Sequence, residues 1–167
     1  MFLVADSLEQ RARVIREFLR KYPSISVVVA ATYFEWTVSR ALIALSRRPN
    51  KEVREALGRV RGLPAYSRLW WDQLQDVPAA RRLTEVVSNW AAVNNAFKER
   101  NALVHGHNRH TRNMATPHGE ALLKAVEEVY KYGQIQGLDL GRRLPVRKNP
   151  KRVISVAMLK ASAKGGY

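Results

Sequence analysis

VVVAATYFEWTVSRALIAL, residues 27–45, is the stretch that decides the fold. It is apolar almost all the way round a helix, which is typical of a helix buried at the centre of a protein. It is too long for a β-strand. Glu35 and Arg40 interrupt the apolar run, which argues against a membrane-spanning helix. We therefore expect a central buried helix from about residue 24 to residue 48, ended by Pro49.

The segments on either side of this helix also have helical patterns. Ser7 and Gln10 match a capping box, so a first helix should begin at Ser7 and stop at Pro23. Apolar residues at helical spacing predict further helices over residues 50–60, 65–75 and 79–105, and a last helix that opens at Thr116-Pro117 and closes at Gly137. The pattern predicts an all-α fold, an antiparallel helical bundle with short extra helices over residues 1–141.

The composition indicates a polyanionic partner. The chain has 167 residues, a net charge of +15 and no cysteine, which excludes disulfides, thiolate nucleophiles and cysteine-based zinc sites. RNA or DNA is favoured over an anionic membrane as the partner. The first apolar run is too short for a signal peptide, so we expect a cytoplasmic protein that does not bind a membrane.

The positive charge is concentrated at the C-terminal end. Residues 142–167 carry eight basic side chains and no acidic one, which leaves 21 basic and 14 acidic side chains in residues 1–141. Pro145 and Pro150 argue against one continuous helix in this basic tail. Two interpretations of the tail stay open: a solvated arm, or an arm that binds nucleic acid or a partner protein.

The end of the helix over residues 79–105 carries the polar residues of greatest interest. On an ideal helix, Asn94, Asn101 and His105 lie within about 40° of one another. Buried amides and imidazoles are hydrogen-bonded, so this edge should face something polar. Gly106 can adopt a left-handed conformation, so the helix should end at His105. The imidazole of His105 can both accept and donate a proton near neutral pH.

Residues 100–105, R-N-A-L-V-H, resemble the R-x4–6-H motif of the HEPN superfamily, including the polar residue that often follows the arginine. A bare R-x4-H pair is expected by chance about 0.5 times in this chain, and one with asparagine second about 0.02 times. The helical body is also similar to a HEPN domain over residues 5–137. The resemblance implies a helical bundle of HEPN type, with the motif late in its third long helix.

The resemblance further implies a metal-independent endoribonuclease that uses no cofactor. The 2′-hydroxyl of RNA would attack the adjacent phosphodiester and leave 2′,3′-cyclic phosphate and 5′-hydroxyl ends. His105 would be the acid or base, Arg100 would hold the phosphate, and Asn101 would orient the scissile group or His105. Each residue also has a structural alternative: a surface ion pair for Arg100, a satisfied core amide for Asn101, and a helix-capping role for His105.

A biological setting is implied in the same way. HEPN proteins often act as toxins or abortive-infection effectors, so we expect a role in a toxin–antitoxin pair or in antiviral defence. An antitoxin or a defence-system partner would then exist. The main alternative is a non-catalytic, basic HEPN-like module that binds RNA or acts as an adaptor. A DNA-binding regulator ranks last, because no convincing helix-turn-helix pattern is present.

Glu35 is a further candidate for the catalytic site. It is the lone acid in the most apolar segment, and a buried carboxylate needs a partner. Arg40 is about 140° away on the same helix, so the partner should come from another helix, and Arg100 is a candidate. Glu35 would then either take part in catalysis or form an internal salt bridge that holds the bundle together.

The segment after the motif is predicted to contact RNA. Residues 100–119 contain all four histidines and no acid, whereas metal sites that act on phosphodiesters usually include carboxylates. We therefore expect no metal, and a loop that contacts phosphates through His107, Arg109, His110 and Arg112. The four tryptophans are predicted to pack in the core rather than to stack on bases, namely Trp36, Trp70, Trp71 and Trp90.

The geometry of the motif predicts a homodimer with a composite active site. Arg100 and His105 lie about 140° apart on an ideal helix, so one helix end does not easily aim both at one phosphate. In-line cleavage also needs a base and an acid on opposite sides of phosphorus. A two-fold axis would bring a second helix end across the interface, and HEPN relatives build sites in this way. The rival is a self-contained site that uses His107 or His110 as the second proton carrier.

Overall fold

A computed structural model gives the fold of this chain. It describes residues 7–106, 112–142 and 144–148, with the backbone alone for Arg112 and Asn113. Within these residues all regular structure is α-helical, which confirms the predicted all-α fold. The helices of the described residues are α1 Leu8–Lys21, α2 Pro23–Leu45, α3 Asn50–Gly58, α4 Leu63–Leu74, α5 Leu83–Val86, α6 Trp90–Val104 and α7 Arg112–Ile135.

The central helix α2 packs most extensively against α7, and also contacts α1, α6, α4 and α3. Its buried hydroxyls find acceptors, because Ser26 Oγ donates to Ile15 O at 3.1 Å and Thr37 Oγ1 donates to Tyr33 O at 2.8 Å. By length and composition alone, α2 could cross a membrane. Most of its side chains are buried among the other helices, as in the core helix of a bundle.

The first helix follows the prediction closely. Ser7 Oγ accepts from Gln10 N at 3.2 Å, and Ser7 N donates to Gln10 Oε1 at 2.6 Å, so the capping box is formed. Pro23 stops α1 and is itself the first residue of α2, where its missing N–H costs nothing. Of the tryptophans, Trp70 is fully buried, whereas Trp36, Trp71 and Trp90 are half-buried.

The single helix predicted over residues 79–105 is wrong, because the chain forms two helices there. Val87 is extended between α5 and α6, with φ −94° and ψ 110°. Asn89 begins α6, and its Oδ1 accepts from Ala92 N at 3.1 Å. Ser88 is held outside both helices, since its backbone N donates to Glu128 on α7 at 3.0 Å. The cap and this bond to α7 together favour a break over a continuous helix.

The predicted start of the last helix at Thr116-Pro117 is also wrong. α7 begins at Arg112, and Pro117 lies inside it. Proline lacks an N–H, so the helix loses one backbone hydrogen bond there. Packing of α7 against α2 and α6 stabilises the helix despite this loss. The end of α7 agrees with prediction, because Gly137 has φ +75° and its N donates to Gln134 O at 2.9 Å.

The first part of the basic tail lies against the helical body. We call residues 144–148 the strap. Arg147 N donates to Asn50 Oδ1 at 3.1 Å, and Asn50 N donates to Arg147 O at 3.0 Å. The Arg147 guanidinium donates to the carbonyls of Ile43 and Ala44 in the last turn of α2. The strap thus closes over the junction between α2 and α3. The domain boundary at residue 142 stays a prediction, and residues 149–167 lie outside the described part.

Candidate active site

A cavity of about 350 Å³ lies where α2, the start of α4 and the second half of α6 come together. Glu35 faces it from α2, and Arg100 and Asn101 face it from α6. Three of the four predicted catalytic residues therefore share one cavity, although they come from segments more than 60 positions apart in the chain. The other lining residues are Val60, Arg61, Gly62, Leu63, Pro64, Tyr66, Asn94, Phe97 and Lys98.

Arg100 is half-buried and held in place by its neighbour. Its Nη1 donates to Asn101 Oδ1 at 2.9 Å. Its Nε is buried and has no hydrogen-bond partner among the described residues. A guanidinium carries five N–H donors, so this side chain keeps unused donor capacity beside the cavity. The alternative of an ion pair for Arg100 stays open beside the phosphate-binding role, because the Glu35 carboxylate is a charged neighbour of the guanidinium.

Glu35 is half-buried in the wall formed by α2. Burial raises the pKa of its carboxyl, and the positive charge of Arg100 partly offsets this by favouring the ionised form. Arg100, the candidate partner from another helix, is therefore a charged neighbour of Glu35. Arg40 is directed elsewhere, since its Nε donates to Leu140 O at 2.8 Å and its guanidinium lies 4.8 Å from the centre of the Trp36 ring.

His105 lies at the end of α6, outside the lining of the cavity. It is exposed, and its backbone N donates to Asn101 O at 3.0 Å. Gly106 follows with φ +68°, so the helix ends at the predicted residue. The three polar residues predicted to share one edge of this helix are thus separated. Asn94 and Asn101 line the cavity, whereas His105 lies one turn beyond Asn101, exposed at the end of α6.

The described lining of the cavity holds three cations and one carboxylate. Arg61, Lys98 and Arg100 are the cations, and Glu35 is the acid. Arg61 is fixed by its own loop, because Nη1 donates to the carbonyls of Gly58 at 3.0 Å and Val60 at 2.7 Å. An excess of positive charge over a small cavity favours an anionic ligand such as a phosphodiester.

Arg61, Tyr66 and Lys98 are site residues that the sequence argument missed. Arg61 lies in the loop before α4 and Tyr66 in the first turn of that helix, more than 30 positions before the motif, and no local pattern connects them to it. Lys98 follows Asn94 by four residues and precedes Asn101 by three, so helical spacing could have placed it on the same side of α6 as these two residues.

Most of the predicted RNA-contacting loop lies outside the described residues. His107, Arg109 and His110 lie outside the described residues, and Arg112 is described by its backbone alone, as the first residue of α7. Within residues 7–106, 112–142 and 144–148, no three His, Asp or Glu side chains are grouped closely enough to hold a metal ion.

Comparisons of this chain with protein-family models, with curated proteins and with solved structures find no match.

Proposed function

We propose that this protein is a metal-independent endoribonuclease of the HEPN type. The observation that carries the proposal is the arrangement around Arg100. Its guanidinium is held by Asn101 and lies near Glu35, on a cavity with excess positive charge, five residues before an exposed histidine. This arrangement suits a site that binds a phosphodiester and transfers protons beside it.

In the proposed reaction the 2′-oxygen of RNA attacks the adjacent phosphorus, and the bond from phosphorus to the 5′-oxygen breaks. The 2′-hydroxyl loses its proton to a base, and the leaving 5′-oxygen gains one from an acid. The products are a 2′,3′-cyclic phosphate and a 5′-hydroxyl. Arg100 binds the non-bridging oxygens as their charge grows, and His105 carries a proton. Asn101 and Glu35 hold the guanidinium in position.

We further propose that the active form is a homodimer with a composite site. His105 is exposed at the end of α6, while Arg100 faces the cavity. A second chain related by a two-fold axis would supply another α6 end, and with it a second histidine for the opposite side of phosphorus. The proposed role as a toxin or defence effector, with an antitoxin or defence partner, rests on the family resemblance.

The test is cleavage of end-labelled RNA in excess EDTA, with the chemistry of the new ends determined. We expect 2′,3′-cyclic phosphate and 5′-hydroxyl ends. His105→Ala should lower the cleavage rate by about 10²–10⁴-fold, which is the usual contribution of a general acid or base. Arg100→Ala should also lose most of the activity, because the growing phosphorane charge loses its cation.

Arg13→Ala is the matched control for the lost charge. Arg13 is exposed on α1 and pairs with Glu17 at 3.6 Å, so the Arg13→Ala variant should cleave RNA like the wild type. All variants must keep the wild-type circular dichroism spectrum. Activity that disappears in EDTA, or a folded His105→Ala variant that cleaves normally, would contradict the proposed chemistry.

The second candidate function is a non-catalytic module that binds RNA. One observation favours it: His105 does not line the cavity that holds Arg100, Asn101 and Glu35. In that case the protein would bind RNA without cutting it. Arg100→Ala would then weaken binding, and His105→Ala would leave binding and the RNA unchanged.

A further inference from the structure

Two more cavities adjoin the candidate active site and extend it across the protein. A cavity of about 440 Å³ shares Tyr66 with the first, and a cavity of about 450 Å³ shares Arg40, Arg54 and Leu144 with the second. We call the three together the furrow. It runs from Arg100 along α2, past α3 and α4, to the strap.

The far end of the furrow is positively charged. Among its described lining residues, Arg40, Arg54 and Arg142 are basic and none is acidic. Arg40 is held rigidly, because it donates to Leu140 O at 2.8 Å and to Arg142 O at 2.6 Å. Arg142 pairs with Asp139 at 3.1 Å. Arg54 is exposed on α3 and makes no ion pair with any described residue.

Tyr66 lies at the junction between the candidate active site and the rest of the furrow. Its side chain is half-buried, and burial raises the pKa of its hydroxyl, so the ring stays a neutral phenol. Trp36 also lines the furrow, but the guanidiniums of Arg11 and Arg40 lie 4.4 and 4.8 Å from its ring centre. Tyr66 is therefore the aromatic residue placed to stack on a ligand, while Trp36 helps to fix Arg40.

The length of the furrow suits a short chain of nucleotides. Glu35 lines its first cavity and Ile43 lines its second, and both lie on α2. Eight residues of helix rise about 12 Å, whereas a stacked strand rises about 3.4 Å per nucleotide. A row of cations interleaved with an aromatic ring is the arrangement by which proteins bind single-stranded nucleic acid.

We propose that the furrow binds single-stranded RNA next to the cleaved phosphate. Arg40, Arg54 and Arg142 contact phosphates, and Tyr66 stacks on an unpaired base. A base inside a duplex cannot reach this ring, so the furrow selects single strands over duplexes. This inference rests on the proposed function in one respect, which is that the cavity beside Arg100 is the place where RNA is cleaved. Binding of RNA in the furrow does not itself require cleavage.

The experiment measures binding by fluorescence anisotropy with 2′-O-methyl RNA, which lacks the attacking hydroxyl and cannot be cut by the proposed reaction. The probes are a single-stranded 12-mer and a dinucleotide. Arg54→Gln is compared with Arg13→Gln, since both remove one exposed arginine and leave the same net charge. Arg54→Gln should weaken 12-mer binding roughly five-fold at low salt, and lower the slope of log K against log salt by about 0.7.

Arg13→Gln should bind the 12-mer like the wild type, and Arg54→Gln should bind the dinucleotide like the wild type. Equal 12-mer affinity for the two variants overturns the furrow. A duplex that competes for the protein as well as the single strand also overturns it. So does polyglutamate that displaces the 12-mer as well as unlabelled single-stranded RNA does, which would indicate an acidic protein partner. Failure of the proposed function gives a different result. Unmodified RNA then stays intact, while Arg54→Gln still binds the 12-mer more weakly than Arg13→Gln does.

Discussion

Glu35 is the residue at which burial and charge oppose each other most directly. Its carboxyl lies in the half-buried wall of the cavity, where loss of water disfavours the ionised form. The guanidinium of Arg100 favours that form, but burial is the larger effect and the pKa of Glu35 is raised. The attraction of Arg100 thus offsets only part of the cost of burying the Glu35 carboxylate. The ionised carboxylate next to Arg100 therefore lowers the stability of the fold.

This balance predicts how stability depends on pH. Because the pKa of Glu35 is higher in the folded chain than the ordinary 4.5, its favourable contribution is complete below pH 4.5 and is lost as pH rises through the folded pKa. Glu35→Gln removes this loss. The melting temperature of Glu35→Gln should therefore match the wild type below pH 4.5 and exceed it at pH 7.

Glu17→Gln is the control for that measurement. Glu17 is exposed on α1, so its substitution should not reproduce the gain at pH 7. A Glu35→Gln variant that melts below the wild type at pH 7 would mean that attraction to Arg100 outweighs burial, which contradicts the raised pKa of Glu35.

At the scale of the elements, α1 and α7 cross closely at Gly119. A Cβ atom built on Gly119 would lie 2.5 Å from Cδ2 of Leu19, a side chain that is 4% exposed. A side chain at this position would therefore force the buried Leu19 side chain to move. The crossing joins α1 to the helix that also packs against both α2 and α6.

Gly119→Ala should destabilise the protein by about 1–3 kcal/mol, the usual cost of forcing an extra carbon into a packed interface. Gly58→Ala is the matched control, because nothing lies within 4 Å of a Cβ built there. Alanine at the end of α3 should leave stability equal or slightly higher, since it restricts the unfolded chain. Urea denaturation measures both. Equal midpoints for Gly119→Ala and the wild type would show that Leu19 yields without cost.

At the scale of the whole molecule, the position of His105 favours a homodimer as the active form. The residue is exposed at the end of α6 and outside the lining of the cavity, whereas Arg100 is half-buried and faces the cavity. One chain therefore presents the two motif residues to different surroundings. A two-fold dimer would unite the histidines of two chains over one phosphate, and would also join two positively charged furrows.

A tagged heterodimer of wild type and His105→Ala, freed of both homodimers, tests this assembly. A composite site that needs both histidines should lose nearly all cleavage activity in the heterodimer. Retention of about half the activity would mean two independent sites. An enzyme that is active as a strict monomer in sedimentation experiments would contradict the dimer directly.

Local chemistry determined the helical class, the ends of α1 and the end of α6. The capping box of Ser7 with Gln10, the stop at Pro23 and the left-handed Gly106 all act within a few residues, so the sequence alone could predict them. The same holds for the motif from Arg100 to His105, whose spacing on a helix follows from its period. That Arg100 is a neighbour of Glu35 was open to prediction because a buried acid demands a partner.

Other features were decided by contacts between distant segments. The break before Asn89 depends on Glu128 holding Ser88, and the early start of α7 depends on packing that outweighs the cost of Pro117. The meeting of Arg61 and Lys98 at the cavity likewise joins the loop before α4 to α6. Helical period and caps carry information over a few residues, whereas the choice of packing partner depends on shape and burial across the whole chain. For that reason the sequence determined the helical class, several helix ends and the motif. Only the tertiary structure decided the break before α6, the early start of α7, which cations share the cavity with Arg100, and that His105 lies outside its lining.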